Sequence, residues 1–584
     1  MEKIKKLINS RWILLFIILF ALCLRLWRIS EVPVSLFSDE LDVGYQAYSL
    51  IKTGKDYMGN SLPLYFHSYA DFRTPFYIYT AVPTVFVFGI TPLGIRLPAV
   101  IFGVMGVGMM YLLVKELLNN KVIKKKELSI QIIALISAGT LAISPWHIQY
   151  SRAGFEATEL IFFLLTALYF LLISFKESKY LILSAVCFGL TPWIYSTAKL
   201  FTPIFVIFLL FLYKEKIAAF SRRSLILSGA IFAFFVIPMF YTSIFSGGAQ
   251  RFNYISIFTD PTTEGEISYQ RLIDAQVEGG IERNIIEKVT SRFIHNKYVF
   301  LKDVVVDNIM NVFSTEFLFI KGDINLRHSI EGVGQFYKIE IIPLVLGSAL
   351  FFLFFKNKKI KWIIFFWIVV GMLPSVITRD GGTHATRLIL ILPPLVFLIS
   401  YGIVESATLL NKNLRFIITA FYILLLFFSF IFYQHLYWIH NPWYSERSWH
   451  AGYKEVIGSV KQMESNYDKI VISNANDDPK IFLAAYYPYP PGVWQKGTQK
   501  ETVDGFGQMD NIGKYYFGQV DGNIGIDLIY KYMGNRMLYI ASQREIKGNL
   551  ISDSSKIPEG LSLVKSIAYP SGEPAFYLFE RSKK

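Results

Sequence analysis

Cysteine is nearly missing from this sequence: two residues in 584, Cys23 and Cys187, both inside apolar runs. That rules out a disulfide framework even if much of the chain faces an oxidising compartment, and leaves both cysteines as packing residues. Charge is scarce as well, with Asp, Glu, Lys and Arg at 17%, against ~25% in ordinary soluble proteins. No internal repeat or low-complexity tract occurs. A cleavable leader is also missing: "MEKIKKLINSR" is basic, but the following "WILLFIILFALCLRLW" is long and lacks a small-residue cleavage site. The start therefore reads as a signal anchor with its N-terminus in the cytoplasm.

Apolar residues fill the space that charge leaves. They make up 53% of the chain, aromatics 16%, and the mean hydropathy is +0.40, which points to an α-helical polytopic membrane protein. The net charge of +14 does not indicate nucleic-acid binding, because the Lys and Arg residues cluster in short stretches between apolar runs, as membrane topology requires.

About eleven runs approach the ~20 residues needed to cross a bilayer. They lie near 12–30, 95–118, 129–146, 158–175, 180–197, 199–213, 225–243, 339–355, 362–378, 388–404 and 416–434. "FYIYTAVPTVFVFGI" (76–90) is short and interrupted by Pro83. Counting it as a span would put three basic stretches outside, so it is expected to lie in the interface or re-enter. The inner segments then hold twenty Lys and Arg and the short outer loops four. The expected organisation is a transmembrane domain over 1–434, with outer loops 31–94 and 244–338, in the plasma (inner) membrane. Residues 435–584 form an extracytoplasmic α/β domain, with helical patterns in "AGYKEVIGSVKQMES" and "DPKIFLAAYY" and extended ones in "KIVISN", "RMLYIAS", "LSLVKSIAYP" and "PAFYLFER".

With this topology, ionisable residues converge at the outer boundary. Asp39 and Glu40 stand in "SDELD", and His67, Asp71 and Arg73 in "HSYADFRTPFYIY". His147, Arg152 and Glu156 follow in "SPWHIQYSRAGFEATEL", Lys199 in "YSTAK", and Arg379, Asp380, His384 and Arg387 in "TRDGGTHATR". Each alone has an ordinary explanation, since boundary charges snorkel, pair and anchor helix ends. Together, several acids and bases on one face indicate a functional pocket. A carboxylate can take a proton from a hydroxyl, and Arg, Lys and His suit a phosphate. At a bilayer surface the matching substrate is a polyprenyl-phosphate sugar.

The ordered set "LRLWRIS", "SDE", Arg73 before "TPFYIY", "FGITPLGIRLPAVIFGVMGVGMMYLLVKEL", "SPWHIQYSR" with an acid, and "ITRDGGTHATRLILILPPL" resembles the GT-C membrane glycosyltransferases. The likeness is to the branch of protein O-mannosyltransferases and lipid A aminoarabinose transferase. It covers residues 1 to about 405 and is strongest in the first 160.

It implies transfer of one sugar, with inversion, from a polyprenyl-phosphate donor to a protein, lipid or glycan acceptor on the outer face. Asp39 matches the first-loop catalytic acid, Glu40 its partner, and Glu156 the second acid, where many relatives have Asp. Arg73 stands where relatives carry Lys or His before Pro-Pro, although here Thr74-Pro75 follows. His384 and Arg387 resemble residues that meet the donor phosphate, with Arg152 and Lys199 behind them.

No residue is assigned as a metal ligand, although the three acids could hold Mg²⁺ or Mn²⁺. A lipid-linked glycan flippase would share the apolar pattern but place its charges near the midplane, with internal repeats. An oligosaccharide transferase of the same fold would carry a larger, Trp-rich C-terminal domain. Two further stretches have two readings each. "AAYYPYPPGVWQKG" (484–497) either packs on its own domain or stacks on sugars, and "FNYISIFTDP" (252–261) either gates the pocket or is a plain loop.

Overall fold

The computed structural model describes residues 10–68, 72–119, 127–245, 254–278, 284–503, 507–520, 525–526, 529–534 and 536–582. Asp71, Phe252, Asn253 and the basic stretch 121–126 lie outside the described residues.

Each expected span coincides with an apolar helix. Six are long and apolar enough to cross a membrane: Pro92–Leu118, Ala157–Ser174, Arg222–Phe245, Lys358–Val376, Ile389–Thr408 and Lys412–Tyr444. The pair Glu127–Ile143 and Pro145–Ser151, bent by 58°, makes a seventh if counted as one span. Ser10–Leu26, Tyr180–Ile194, Ala198–Leu212 and Ile341–Phe354 are shorter, at 17, 15, 15 and 14 residues. At 1.5 Å per residue, a 15-residue helix covers ~22 Å of a ~30 Å hydrocarbon core. Only 6% of the most apolar window of Lys412–Tyr444 and 11% of that of Arg222–Phe245 is buried, so these helices present apolar surface outward, as lipid contact requires. Ile341–Phe354 and Leu392–Thr408 touch backbone to backbone. A Cβ on Gly347 would lie 2.0 Å from the Leu398 carbonyl oxygen, and one on Gly402 2.0 Å from that of Pro343. Only glycine permits this approach.

The 76–90 stretch forms a 13-residue helix, Phe76–Phe88, that contains Pro83 and ends at Gly89 with φ +71. The last long helix runs on through a π-turn, Leu436–His440, to Tyr444. It thus continues past residue 434, because Tyr433 and Tyr437 are buried under the preceding elements and keep the apolar face going.

The C-terminal residues carry a seven-stranded sheet ordered β4-β5-β6-β3-β7-β9-β8. The strands are β3 Lys469–Ile472, β4 Gln499–Val503, β5 Gly507–Ile512, β6 Tyr515–Phe517, β7 Met537–Ser542, β8 Leu561–Ala568 and β9 Pro574–Arg581. β3 is parallel to both β6 and β7, and the outer pairs are antiparallel. The helices Tyr453–Met463 and Lys480–Tyr486 match the sequence pattern. β4 to β6 do not: β4 is an exposed edge strand whose polar residues carry no alternation, and β6 is a buried run of only three residues.

The aromatic stretch 484–497 packs inward. Trp494 is buried with its ring 5.8 Å from that of Tyr45 and 5.6 Å from that of Tyr489. The Tyr45 hydroxyl donates to the Tyr489 carbonyl oxygen at 2.8 Å. This stretch therefore docks the sheet domain onto the Ser38–Thr53 helix that carries Tyr45.

Candidate functional site

The loop after the first apolar helix folds into a helix, Ser38–Thr53, that ends at Gly54 with φ +70. Asp39 and Glu40 occupy its first turn, where the helix dipole favours negative charge. Asp39 and Asp42 stand at i and i+3, so the two share a face, while Glu40 points about 100° away.

Arg73 serves the Asp39 face. It sits on β2 (Phe72–Arg73), paired antiparallel with β1 (Phe66–His67) in a short hairpin. Its Nη1 donates to the Asp39 carbonyl oxygen at 2.7 Å and to Asp42 Oδ2 at 3.3 Å. Its Nη2 lies 3.6 Å from Asp39 Oδ2. The Tyr57 hydroxyl donates to Asp42 Oδ1 at 2.7 Å. Burial pushes the Asp42 carboxyl above its ordinary range, and Arg73 and Tyr57 only partly offset this. Burial alone would lower the Arg73 guanidinium pKa, but Asp39, Glu156 and Asp42 hold it above the ordinary value. The Asp39 side chain remains 52% exposed, against 3% for Asp42.

Glu40 faces the interior and is fully buried. Arg96 donates to it from Nε at 2.7 Å and Nη2 at 2.9 Å, and the Gly154 N–H donates to Oε1 at 2.7 Å. Arg96 Nη1 and Nη2 also donate to the carbonyl oxygens of Ile29, Pro33 and Ser35. A Cβ on Gly154 would lie 3.0 Å from Glu40 Cγ, so that position suits glycine. Glu40 thus locks the Ser38–Thr53 helix onto the Pro92–Leu118 helix and the turn before Glu156, a positioning role.

Several helix ends meet at a cavity of ≈ 330 Å³. Arg73, Glu156, Lys199 and Arg387 line it, four of the eight site residues expected from the sequence. Phe72, Leu200, Phe240, Ile255, Pro374 and Ile377 supply an apolar wall. Glu156 precedes the Ala157–Ser174 helix, and Lys199 opens the Ala198–Leu212 helix. Lys199 Nζ stands 4.5 Å from the centre of the Tyr65 ring. Arg387 Nη1 donates to the Thr378 hydroxyl at 2.7 Å. Ile255 and Ser256 hold the described part of the 252–261 stretch, 254–261, against this region: Ser256 bridges to Thr378, and the Arg379 N–H donates to the Ile255 carbonyl oxygen.

Arg152 and His384 do not line this cavity. Arg152 is buried. Its Nη1 and Nη2 donate to the carbonyl oxygens of Leu24, Arg25 and Val32, its Nε donates to the Tyr437 hydroxyl, and the guanidinium lies 4.4 Å from the Trp438 ring centre. It ties the first helix to the last one. His384 stands beside His328, with ring centres 5.2 Å apart, and near Asp323. Asp39, Glu40 and Glu156 do not converge on a common point among the described residues: Arg73 pairs with Asp39, and Arg96 takes up Glu40. Two of the three acids expected to hold Mg²⁺ or Mn²⁺, Asp39 and Glu40, are thus paired with guanidinium groups. Asp42 and Arg96 are not among the residues that the sequence singles out. Asp42 carries a legible signal, its i+3 spacing from Asp39.

Residues 73–241 match the family model described as dolichyl-phosphate-mannose-protein mannosyltransferase. That stretch carries Arg73, Arg152, Glu156 and Lys199. Among solved structures, the chain is similar to the apo oligosaccharyltransferase of Archaeoglobus fulgidus, at 13% identity and TM-score 0.45, covering 82% of this chain and 64% of that one. It is also similar to ArnT from Cupriavidus metallidurans bound to undecaprenyl phosphate, at 10% identity and TM-score 0.48, over 98% of each chain. The S. cerevisiae protein O-mannosyltransferase complex bound to the sugar donor matches at 16% identity and TM-score 0.30, over 43% of this chain and 36% of that one. No curated protein matches the sequence. The family match and the apolar helices together describe an integral membrane protein similar to the GT-C glycosyltransferases.

Proposed function

We propose that this protein is a membrane glycosyltransferase that moves one sugar, with inversion, from a polyprenyl-phosphate donor to a hydroxyl of a protein, lipid or glycan acceptor. The reaction takes place on the outer face of the plasma membrane, with the N-terminus in the cytoplasm and the sheet domain outside. The observation that carries this reading is the cavity, lined by three cations and an acid together with six apolar side chains. This lining suits a phosphate attached to a hydrocarbon chain.

Arg73, Lys199 and Arg387 would receive the phosphate oxygens, and the apolar wall would take the first isoprene units. Asp39, half exposed beside Arg73, accepts the proton of the acceptor hydroxyl as its oxygen attacks the anomeric carbon from the face opposite the phosphate. The bond between that carbon and the phosphate oxygen breaks, and its electron pair leaves on the lipid phosphate. Charge therefore grows where the cations stand, and each well-placed donor contributes ~2.7 to 4 kcal/mol in a site sheltered from water. Asp42 and Glu156 keep Arg73 charged and aimed, and Glu40 and Arg152 hold the scaffold.

The test is transfer from a radiolabelled polyprenyl-phosphate sugar by membranes containing wild type or Asp39→Asn. Loss of a general base should lower the rate by about 10² to 10⁴. Unchanged transfer by Asp39→Asn would remove Asp39 from that role.

A further inference from the structure

Away from the cavity lining, Asp323, His328 and His384 each bring one ligand-type atom to within 4.8 Å of the others, a grouping that no other trio of the described residues makes. We propose that these side chains form a binding site for a first-row transition ion of the zinc type, with three protein ligands and one open position.

The donor set selects the ion. Two imidazoles and a carboxylate match zinc with an open fourth position, whereas Mg²⁺ and Ca²⁺ favour oxygen ligands throughout. Ligands ~2.1 Å from a tetrahedral ion stand ~3.4 Å apart. A spread of up to 4.8 Å therefore closes by at most about 1.4 Å on the ~3.4 Å separation that tetrahedral ligands need, within reach of side-chain rotation.

The surroundings already orient the ligands. His328 Nδ1 lies 3.0 Å from the Tyr150 hydroxyl and 3.0 Å from that of Thr386. With the proton on Nδ1, Nε2 keeps its lone pair for a metal, the arrangement that outer partners commonly enforce on histidine ligands. The His328 ring is held against Tyr150, at 5.9 Å and 7°, and against Phe155 at 5.4 Å. Asp323 accepts the N–H of Ala385 and that of Asn325, each at 2.9 Å, and each carboxylate oxygen retains a second lone pair. Two guanidinium groups stand near enough to act electrostatically on Asp323 and His328: Arg327, which also lies 5.1 Å from the centre of the Phe37 ring, and Arg387, which also donates to Thr378.

The ligands come from two separate stretches, 323–328 and 384. An ion there joins the outer loop before the Ile341–Phe354 helix to the turn that carries Arg387, so it acts as a clamp on a cavity residue.

Metal binding is read without any transfer assay, so it stands or falls apart from the proposed activity. Full-length protein purified with a histidine-free tag is stripped with chelator and titrated with Zn²⁺ or Co²⁺, with bound ion measured by elemental analysis and by the visible Co²⁺ absorption. The expected result is about one ion per chain with a tetrahedral-type Co²⁺ spectrum. His384→Ala and Asp323→Asn should each weaken binding by at least about tenfold, and Tyr150→Phe, which keeps the ring, by about tenfold or more. Wild-type protein that takes up no ion, or folded His384→Ala and Asp323→Asn variants that bind as wild type does, would overturn the assignment. Should those variants fail to fold, the wild-type Co²⁺ spectrum and Tyr150→Phe decide.

Discussion

Arg73 holds Asp39 at two points: it donates to the backbone carbonyl oxygen at 2.7 Å and stands 3.6 Å from the carboxylate. The same guanidinium reaches the buried Asp42 at 3.3 Å and lines the cavity. It therefore couples the proposed base to the proposed phosphate site.

Arg73→Ala should fail in two ways. Removing a cation from the leaving group lowers transfer by about 10² to 10³, and leaving Asp42 buried without its partner lowers stability by ~3 to 5 kcal/mol. Transfer assays and denaturant unfolding of the purified protein separate the two effects. Arg73→Lys keeps the charge but not the fork, so it should recover part of the stability and little of the transfer.

Glu40→Gln removes the charge from a fully buried pair with Arg96. The uncompensated guanidinium should lower stability by ~3 to 5 kcal/mol, with transfer lost only in proportion to unfolded protein. A folded Glu40→Gln with full stability and no transfer would instead assign Glu40 to the chemistry.

Trp494→Ala should loosen the sheet domain from the first loop. The indole is buried between Tyr45 and Tyr489, and such truncations cost ~3 to 5 kcal/mol. Limited proteolysis around residues 484–497 should accelerate in the variant, and an unchanged pattern would contradict the docking role.

His450 makes the same junction sensitive to acid. Its Nε2 lies 3.2 Å from Asp477, and its Nδ1 accepts the Ser38 N–H at 3.4 Å. Burial lowers its pKa below the ordinary 6.5; Asp477 and Asp39 oppose the shift, and Arg327 adds to it. Between the lowered value and about 6.5 the unfolded chain binds more protons than the folded one, so stability rises with pH through that window and falls as the solution is acidified. Unfolding midpoints measured across the window should show this slope, and His450→Gln should flatten it.

The sequence reveals the apolar helices and the placement of the charged residues at their ends, because hydropathy and the Lys and Arg distribution are properties of the chain order itself. Which way each side chain turns is less legible. Asp39 and Glu40 are adjacent and look equivalent, yet the ~100° step of a helix sends one to Arg73 and the other to Arg96. Arg152 reads as a boundary cation, but its carbonyl partners come from residues over a hundred positions earlier, and no local pattern encodes them. His384 reads as a phosphate ligand until the fold brings it beside His328 and Asp323. Strand β4 is missed because an exposed edge needs no apolar alternation, and β6 because its three buried residues are too short a run to stand out.

The central claim is that the cavity holds the phosphate of a lipid-linked donor, and equilibrium binding tests it most directly. Purified wild type and the Lys199→Ala/Arg387→Ala double variant are compared for binding of polyprenyl phosphate and of the uncharged polyprenol. The account predicts that wild type prefers the phosphate by at least about tenfold, since one charge-assisted hydrogen bond contributes ~1.5 to 3 kcal/mol, and that the double variant loses the preference. Equal binding of both lipids by wild type, or an undiminished preference in the folded double variant, would contradict it.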